Sequence, residues 1–355
     1  MVLIMNDAMN MGWKTSREKT EVSINIASVA AVIANIQRSS GEIPWSDNLK
    51  TDPWDHVEAA MGLAIGGYLT ESRLAFDWLA RHQLTDGCWY AAYQQGRPTD
   101  KTRDANMSAY IAVGVLHHYL ISGDIHFLQQ MWQSLRAAIN FAVRLQAAGG
   151  EIYWAISPRG KTDPMALLTG SSSIYMSIKC ALVVAKQLGY QMPDWQKALL
   201  KLKNAIAYKP QHFNMTKARF AMDWFYPVLT GAVTGPDAQA RLEKSWKKFV
   251  INGQGVRCVS DQDWITLAET AELCLALAAC GNRSLAEIVF NWIVDKRFDD
   301  GSYWCGYTYP GMVIWPEEKI AWTNAVILMA ADAIYNLTPA GHLFSHRFWE
   351  TYDFS

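Results

Sequence analysis

RFDDGSYW, residues 297–304, stops an amphipathic helical segment with a glycine turn that ends in an aromatic pair. Three earlier stretches share its grammar: IQRSSGEIPW at 36–45, HQLTDGCWY at 82–90 and LQAAGGEIYW at 145–154. In each, a glycine after the helix supplies the left-handed cap residue, and a tryptophan follows. Two weaker relatives, RFAMDWFYP at 219–227 and VRCVSDQDWIT at 256–266, fill the gap. The six marker tryptophans are Trp45, Trp89, Trp154, Trp224, Trp264 and Trp304. They recur at intervals of about 40 to 70 residues, the length of one two-helix unit with variable loops. Their bland role is packing on the rim; the alternative is to line a ligand mouth.

Each unit opens with a helix that has one polar face: 22–37, 72–83, 126–146, 194–207, 238–250 and 284–296. After the turn comes a helix rich in small and apolar residues on all sides, such as HVEAAMGLAIGGYL, LAETAELCLALAACG and WTNAVILMAADAIY. A helix apolar all round is buried on all sides, and one with a polar face lies outside. Six outer helices alternating with six inner ones predict an all-α fold, an (α/α)6 toroid of six helical hairpins. No linker interrupts it. The chain reads as a single domain over 1–355, with a repeat region of about 22–337 and peripheral tails on either side.

Composition narrows the function classes. The 355 residues carry a net charge of -1, 18% charged residues and 16 tryptophans. Without a basic run, a surface tracking nucleic-acid phosphates is not expected. No apolar run approaches the roughly 18–20 residues of a bilayer span, and the N-terminus lacks the basic and apolar regions of a signal peptide. Six scattered cysteines without a C-x-x-C pair read as reduced thiols of a cytoplasmic protein. Neither a metal site nor a cofactor is expected. The oligomeric state is left open.

The inner helices of such a ring run in parallel, so their N-termini surround one mouth. Carboxylates there are favoured by the helix dipoles. The starts of the inner helices supply Trp54, Asp55, His56 and Glu58; Arg103, Asp104, Asn106 and Tyr110; Asp223 and Trp224; Asp263, Trp264 and Glu269; and Trp322. Acid and aromatic recur together at one structural place. Paired carboxylates in an aromatic pit are the equipment of glycosidic-bond cleavage: one protonates the leaving oxygen, the other attacks or activates water. Asp104 and Glu269 are the leading candidates, followed by Asp55, Glu58 and Asp223. Trp54, His56, Arg103, Asn106, Tyr110, Trp224, Asp263, Trp264 and Trp322 are candidate sugar contacts. The competing role for each aspartate is helix capping, with Asp55 and Asp104 the best-placed caps. Glu58 and Glu269 lie inside apolar helices, where a carboxylate is costly unless it is paired or functional. His117 and His118 fall at the far end of their helix and read as structural.

The two-helix units, the DGCW and DGSYW turns and the stretch TRDANMSAYIAVGVLHHYLISGDIHFLQQMWQSLRAAINFAVRLQ resemble the six-hairpin glycosidase superfamily, in particular its glucoamylase-like members. That resemblance implies a carbohydrate-active enzyme, a glycoside hydrolase acting on an oligosaccharide or glycoconjugate. The chain also resembles a bacterial family labelled prenyltransferase-like, through the Q-x-x-D-G-x-W turn from Gln83 to Trp89. Three departures weaken the isoprenoid alternative. SDQDW places Trp264 where the acid motif of cyclases ends in Asp, a D-D-x-x-D motif is missing, and Trp322, Thr323 and Asn324 stand where a zinc-binding His would be expected. A non-catalytic glycan-binding toroid is the remaining alternative.

Overall fold

The computed structural model describes residues 24–354. The predicted N-terminal tail, 1–20, lies outside them, as does the start of the first outer helix. The helices, in chain order, are α1 (Ile26–Ile36), α2 (Pro53–Ile65), α3 (Leu69–His82), α4 (Ala105–Ala109) running on into α5 (Ile111–Ser122), α6 (Ile125–Arg144), α7 (Leu168–Gln187), α8 (Pro193–Tyr208), α9 (Ala221–Leu229), α10 (Gly235–Phe249), α11 (Leu267–Ala279), α12 (Arg283–Asn291), α13 (Ala321–Tyr335) and the short α14 (His346–Trp349). The inner ring is α2, α4–α5, α7, α9, α11 and α13. Each packs on the next, and α13 closes the ring against α2. The fold is the (α/α)6 toroid that the alternation of helix types predicts.

The turns quoted above are joints between neighbouring units, and three of them are clasped in one way. Gln37, Gln83 and Gln146 each end an outer helix. Each carboxamide donates to the carbonyl of the turn glycine four residues on, Gly41, Gly87 or Gly150, at 2.8–3.2 Å. It also donates to a carbonyl of the next outer helix: Glu71, Ser134 or Ala198, at 2.8–2.9 Å. The three glycines have φ of +91°, +96° and +103°. A Cβ on any of them would collide with the carbonyl of Leu74, Ala137 or Lys201, one turn further along that same helix. RFDDGSYW keeps the turn but not the clasp. Arg297 stands where the glutamine would be, and Gly301, at φ +87°, has open space beside it.

Short antiparallel strands, not anticipated in an all-helical reading, decorate the mouth. β1 (Ala92–Gln94) pairs with β2 (Arg97–Asp100). A second sheet is β3 (Arg103–Asp104), β4 (Tyr153–Ile156) and β5 (Thr162–Ala166). A third runs β6 (Val250–Ile251), β7 (Gly255–Arg257), β8 (Trp264–Thr266) and β9 (Gly306–Thr308). Strands β3, β5 and β8 lead directly into inner helices and so stand at their N-terminal ends.

The other end of the ring is closed by the chain after residue 337, which had been expected at the periphery. Thr338 donates to Asp332 through its N–H and its hydroxyl, at 2.7 and 2.6 Å. His346 Nε2 donates to the Val228 carbonyl at 2.7 Å. Lys179, buried in α7, donates to the Thr230 carbonyl at the end of α9 and lies 4.2 Å from the Trp349 ring centre. Burial lowers its pKa to about 7. Among the described residues α7 alone has the length and apolarity of a bilayer span, unlike the sequence expectation; it is an inner helix with most of its surface buried in the ring.

Candidate active site

Five carboxylates gather at and below the mouth, at two depths. The lower layer is hydrogen-bonded. Glu58, one turn inside α2, accepts from Trp54 Nε1 at 2.8 Å and from the Tyr110 hydroxyl at 3.1 Å. Glu272, in α11, accepts from the Tyr226 hydroxyl at 2.5 Å. The Trp54 ring lies across the lumen between those tyrosines, with centroids 5.5 Å from Tyr110 and 5.8 Å from Tyr226. It forms a floor under the mouth. Burial pushes Glu58 up to about 8, and repulsion from Asp52 and Glu269 acts in the same direction. Burial, then Glu58 and Glu269, hold Glu272 well above the carboxylate range. Both shifts favour the protonated, neutral form of the carboxyl.

That protonation has a cost at higher pH. In the unfolded chain Glu58 would ionise near its ordinary value of 4.5, whereas in the fold it holds its proton to about 8. The folded state binds more protons across this window, so the contribution is fully present below pH ~4.5 and is lost as pH rises through ~8. Glu58→Gln keeps an acceptor for Trp54 and Tyr110 without titrating. The variant should melt above the wild type at pH 8, with the gap closing towards pH 5. A pH-independent gap in thermal midpoints would rule out this protonation state.

The upper layer is less satisfied. Asp55 lies in the first turn of α2, half-buried; burial, then Asp52, then Glu58 hold its pKa well above the ordinary range. The cap of α2 is not Asp55 but Asp52, which accepts from the Asp55 N–H at 3.0 Å and from Trp45 Nε1 at 2.8 Å. Glu269, in the first turn of α11, is 7% exposed and its Oε2 has no hydrogen-bond partner. Asp55 and Glu269 both act on the Cys305 thiol, which burial pushes up to about 12. Asp104 caps α4, accepting from the Met107 N–H at 2.9 Å, and burial raises it to about 6.

Beside Trp54 and Asp104 opens a pocket of about 470 Å³, its mouth included. Asn106 and Ser171 reach its wall, 6% and 1% exposed, and Asn106 Oδ1 and Ser171 Oγ lack partners. Of the marker tryptophans, Trp154 reaches this wall. The sequence marks Ser171 and Glu272 as polar residues at the starts of inner helices, and Glu272 as a carboxylate costly in an apolar helix, without carrying either into the candidate site; it had no signal for Met107 or Leu167.

Several candidates are occupied elsewhere. His56 is buried, accepting from the Ile43 N–H at 3.1 Å on Nδ1 and donating from Nε2 to the Ala75 carbonyl at 3.0 Å; it ties α2 to the outer layer. Arg103 is paired with Asp86 at 2.6 Å and holds the second glycine turn. Asp223 accepts from the Thr169 N–H and hydroxyl at 3.1 and 2.6 Å, linking α9 to α7. Trp224 is not in a turn but inside α9, stacked on Phe249 of α10 at 5.3 Å and donating to the Arg241 carbonyl. Trp264 is on β8, edge-on to Trp315 at 5.1 Å. Asp263 is exposed, 3.9 Å from Arg257, and Trp322 is half-buried at the start of α13 with Nε1 unpartnered. His117 and His118 are buried, as expected, and His118 Nδ1 is 2.9 Å from the Ser72 hydroxyl.

Comparison with known proteins places this geometry. No family model matches the chain. Among solved structures, the mannosylglycerate hydrolase of glycoside hydrolase family 63 from Thermus thermophilus superposes with a TM-score of 0.67 over 86% of this chain and 99% of its own, at 9% identity. A D-mannose isomerase superposes with a TM-score of 0.70 over 91% and 100%, at 10% identity. These likenesses confirm the toroid. A curated protein of Mycolicibacterium hassiacum, described as an MMP endo-(1,4)-3-O-methyl-alpha-D-mannosidase, is 46% identical over 315 residues, 89% of this chain and 87% of its own. The isoprenoid alternative finds no support beside it, and the polar network under Trp54 is not the apolar cavity that alternative requires. With nearly half of its residues shared along almost the whole length, the chain belongs to the family of that endomannosidase and is a glycoside hydrolase.

Proposed function

We propose that the protein is an endo-acting α-mannosidase that cleaves (1,4)-linked chains containing 3-O-methylmannose, with Asp55 and Glu269 as its working carboxylates. The substrate class comes from the 46% identical relative. The assignment of the pair rests on one observation above all: Glu269 keeps an oxygen buried at the mouth with nothing bonded to it. An unpartnered buried carboxylate oxygen is costly, and a reacting sugar carbon or water would satisfy it.

Asp55, held protonated by burial and by Asp52, donates its proton to the glycosidic oxygen as the bond to the anomeric carbon breaks. Glu269 supplies the second carboxylate, as nucleophile or as the base for water. Asp104 and Asn106 hold hydroxyls of the neighbouring sugar, and Trp54 offers its ring face beneath. Glu58, bonded to Trp54 Nε1, and Glu272, bonded to the Tyr226 hydroxyl beside that ring, hold Trp54 in place. The six cysteines are all unbridged, which supports a cytoplasmic setting.

The direct test is incubation with a (1,4)-linked 3-O-methylmannose oligosaccharide in ¹⁸O-water, read by mass spectrometry. One ¹⁸O atom per broken bond, in fragments several sugars long, is the expected result. An intact oligosaccharide, or release of terminal monosaccharide alone, would overturn the reading.

A further inference from the structure

The side of the mouth across from the Trp54 pocket carries an apolar patch that bond cleavage itself does not use. After β9 the chain turns back along that strand. The Thr308 N–H donates to the Val313 carbonyl and the Trp315 N–H to the Gly306 carbonyl, both at 2.9 Å, and Tyr307 bridges Ile314. The Tyr309 N–H, bonded to the Asp263 carbonyl at 2.8 Å, ties the turn to the start of β8. On this turn Met312, Val313 and Trp315 are exposed, Trp315 to 60%. One exposed apolar side chain is ordinary. Three on a turn pinned by main-chain bonds, next to a further tryptophan, form a patch of the kind that binds something.

The Trp264 indole lies against Gly306, where a Cβ would stand 2.7 Å from its Nε1, and that Nε1 donates to the Trp315 carbonyl at 2.8 Å. The two rings meet edge-on, with centroids 5.1 Å apart, so Trp264 props Trp315 from one side. Residues opposite each other in a ladder share one face of the sheet. Opposite Trp264 on the neighbouring strand is Cys258, whose N–H donates to the Trp264 carbonyl at 3.3 Å and whose thiol bonds to the Glu269 carboxylate. The tryptophan pair therefore shares the sheet face that looks onto Glu269.

Position selects the occupant. The Trp54 pocket is walled by α2, α4 and α7, whereas the tryptophan pair stands beside the starts of α11 and α13, across the ring. The working carboxylates come from α2 on the first side and α11 on the second. A saccharide gripped in the pocket and cut between Asp55 and Glu269 continues towards the pair. The C–H face of a sugar ring packs on an aromatic ring and leaves its hydroxyls at the edge, within reach of water and of the exposed Asp263. We propose that Trp315, propped by Trp264, is a second sugar-binding platform, holding units of the substrate chain beyond the cleaved bond and on the opposite side of it from the Trp54 pocket. This role rests on the mannosidase reading above.

The experiment follows cleavage of (1,4)-linked α-mannoside oligosaccharides of increasing length by the wild type, Trp315→Ala and Trp315→Phe, with a thermal midpoint and sedimentation velocity for each protein. The wild-type kcat/KM should climb with chain length. Trp315→Ala should lose about tenfold on the longest chains, the scale of one aromatic contact, and lose it through KM rather than kcat. The loss should shrink as the chain shortens, and Trp315→Phe, which keeps a ring face, should recover most of it. A loss of one size at every length means that the ring only supports the mouth, and overturns the inference. No loss at any length overturns it too, as does dissociation of an oligomer by Trp315→Ala without a length effect, which would make the patch a contact between copies. A wild type that cleaves none of the chains defeats the mannosidase reading itself.

Discussion

Glu269→Gln lowers kcat by about 10³-fold, the scale of a lost acid–base or nucleophilic carboxylate. Glutamine preserves size and hydrogen bonding and removes the charge, so the folded structure should persist. Asp55→Asn should match it, because an amide N–H is far too weak an acid to protonate the leaving oxygen. Asp104→Asn is the discriminating companion. Asparagine caps helices as well as aspartate does, so α4 survives, and the loss should stay near tenfold, the value of a substrate contact. Initial rates on the 3-O-methylmannose oligosaccharide, with thermal midpoints for all three variants, decide the matter. If Asp104→Asn were the crippled variant and Asp55→Asn nearly normal, the acid would move to Asp104, whose pKa of about 6 also suits the task. The pH profile adds an independent check. A working Asp55 must be protonated, so the rate should fall on the alkaline side as pH rises through its elevated pKa, and Asp55→Asn should abolish that limb.

Gly87→Ala should be strongly destabilising for a single added methyl group. At φ +96° any side chain costs roughly 1–2 kcal/mol. Here the new Cβ also strikes the Ala137 carbonyl, which belongs to the backbone of a packed helix and cannot move aside cheaply. About 3 kcal/mol in total is expected, large for one substitution. Gly301→Ala is the matched control. Its φ of +87° is nearly the same and it too follows an aspartate, but nothing lies within 4 Å of the added atom. That variant should lose only about 1 kcal/mol. Urea midpoints of the two variants should therefore separate clearly. Similar midpoints would mean that the contact with Ala137 contributes nothing to the joint.

The ring was legible in the sequence because its signal is strong and local. An inner helix such as α13 is apolar on every face, an outer one such as α10 is not, and the alternation repeats six times. The mouth was less legible for a spatial reason. Strands of two to five residues, like β3 and β8, carry too few alternations to register. His56 sits in sequence beside Asp55, but its partners are Ile43 and Ala75, 13 and 19 residues away. Trp224 shares a D-W pair with Trp264, yet one lies inside a helix against Phe249 and the other on a strand against Trp315. Glu58 and Glu269 were flagged by the right argument, the cost of a carboxylate in an apolar helix, though it did not say which of them would keep a free oxygen. The apolar wall of the side pocket gave no warning at all, since Met107 and Ile174 look like any core residues.

The clasps between outer helices have a further consequence for how the chain tolerates drift. On the giving side each joint demands particular side chains, a glutamine and a glycine four residues later. On the receiving side its hydrogen bonds go to main-chain oxygens, contributed by residues as unlike as Glu71, Ser134 and Ala198, and its glycine packs on the backbone of Leu74, Ala137 or Lys201. Any residue that stays helical can fill those receiving positions. Half of each joint is thus chemically anonymous, free to vary without unfastening the ring, and the motif leaves its trace on one helix of every pair that it binds.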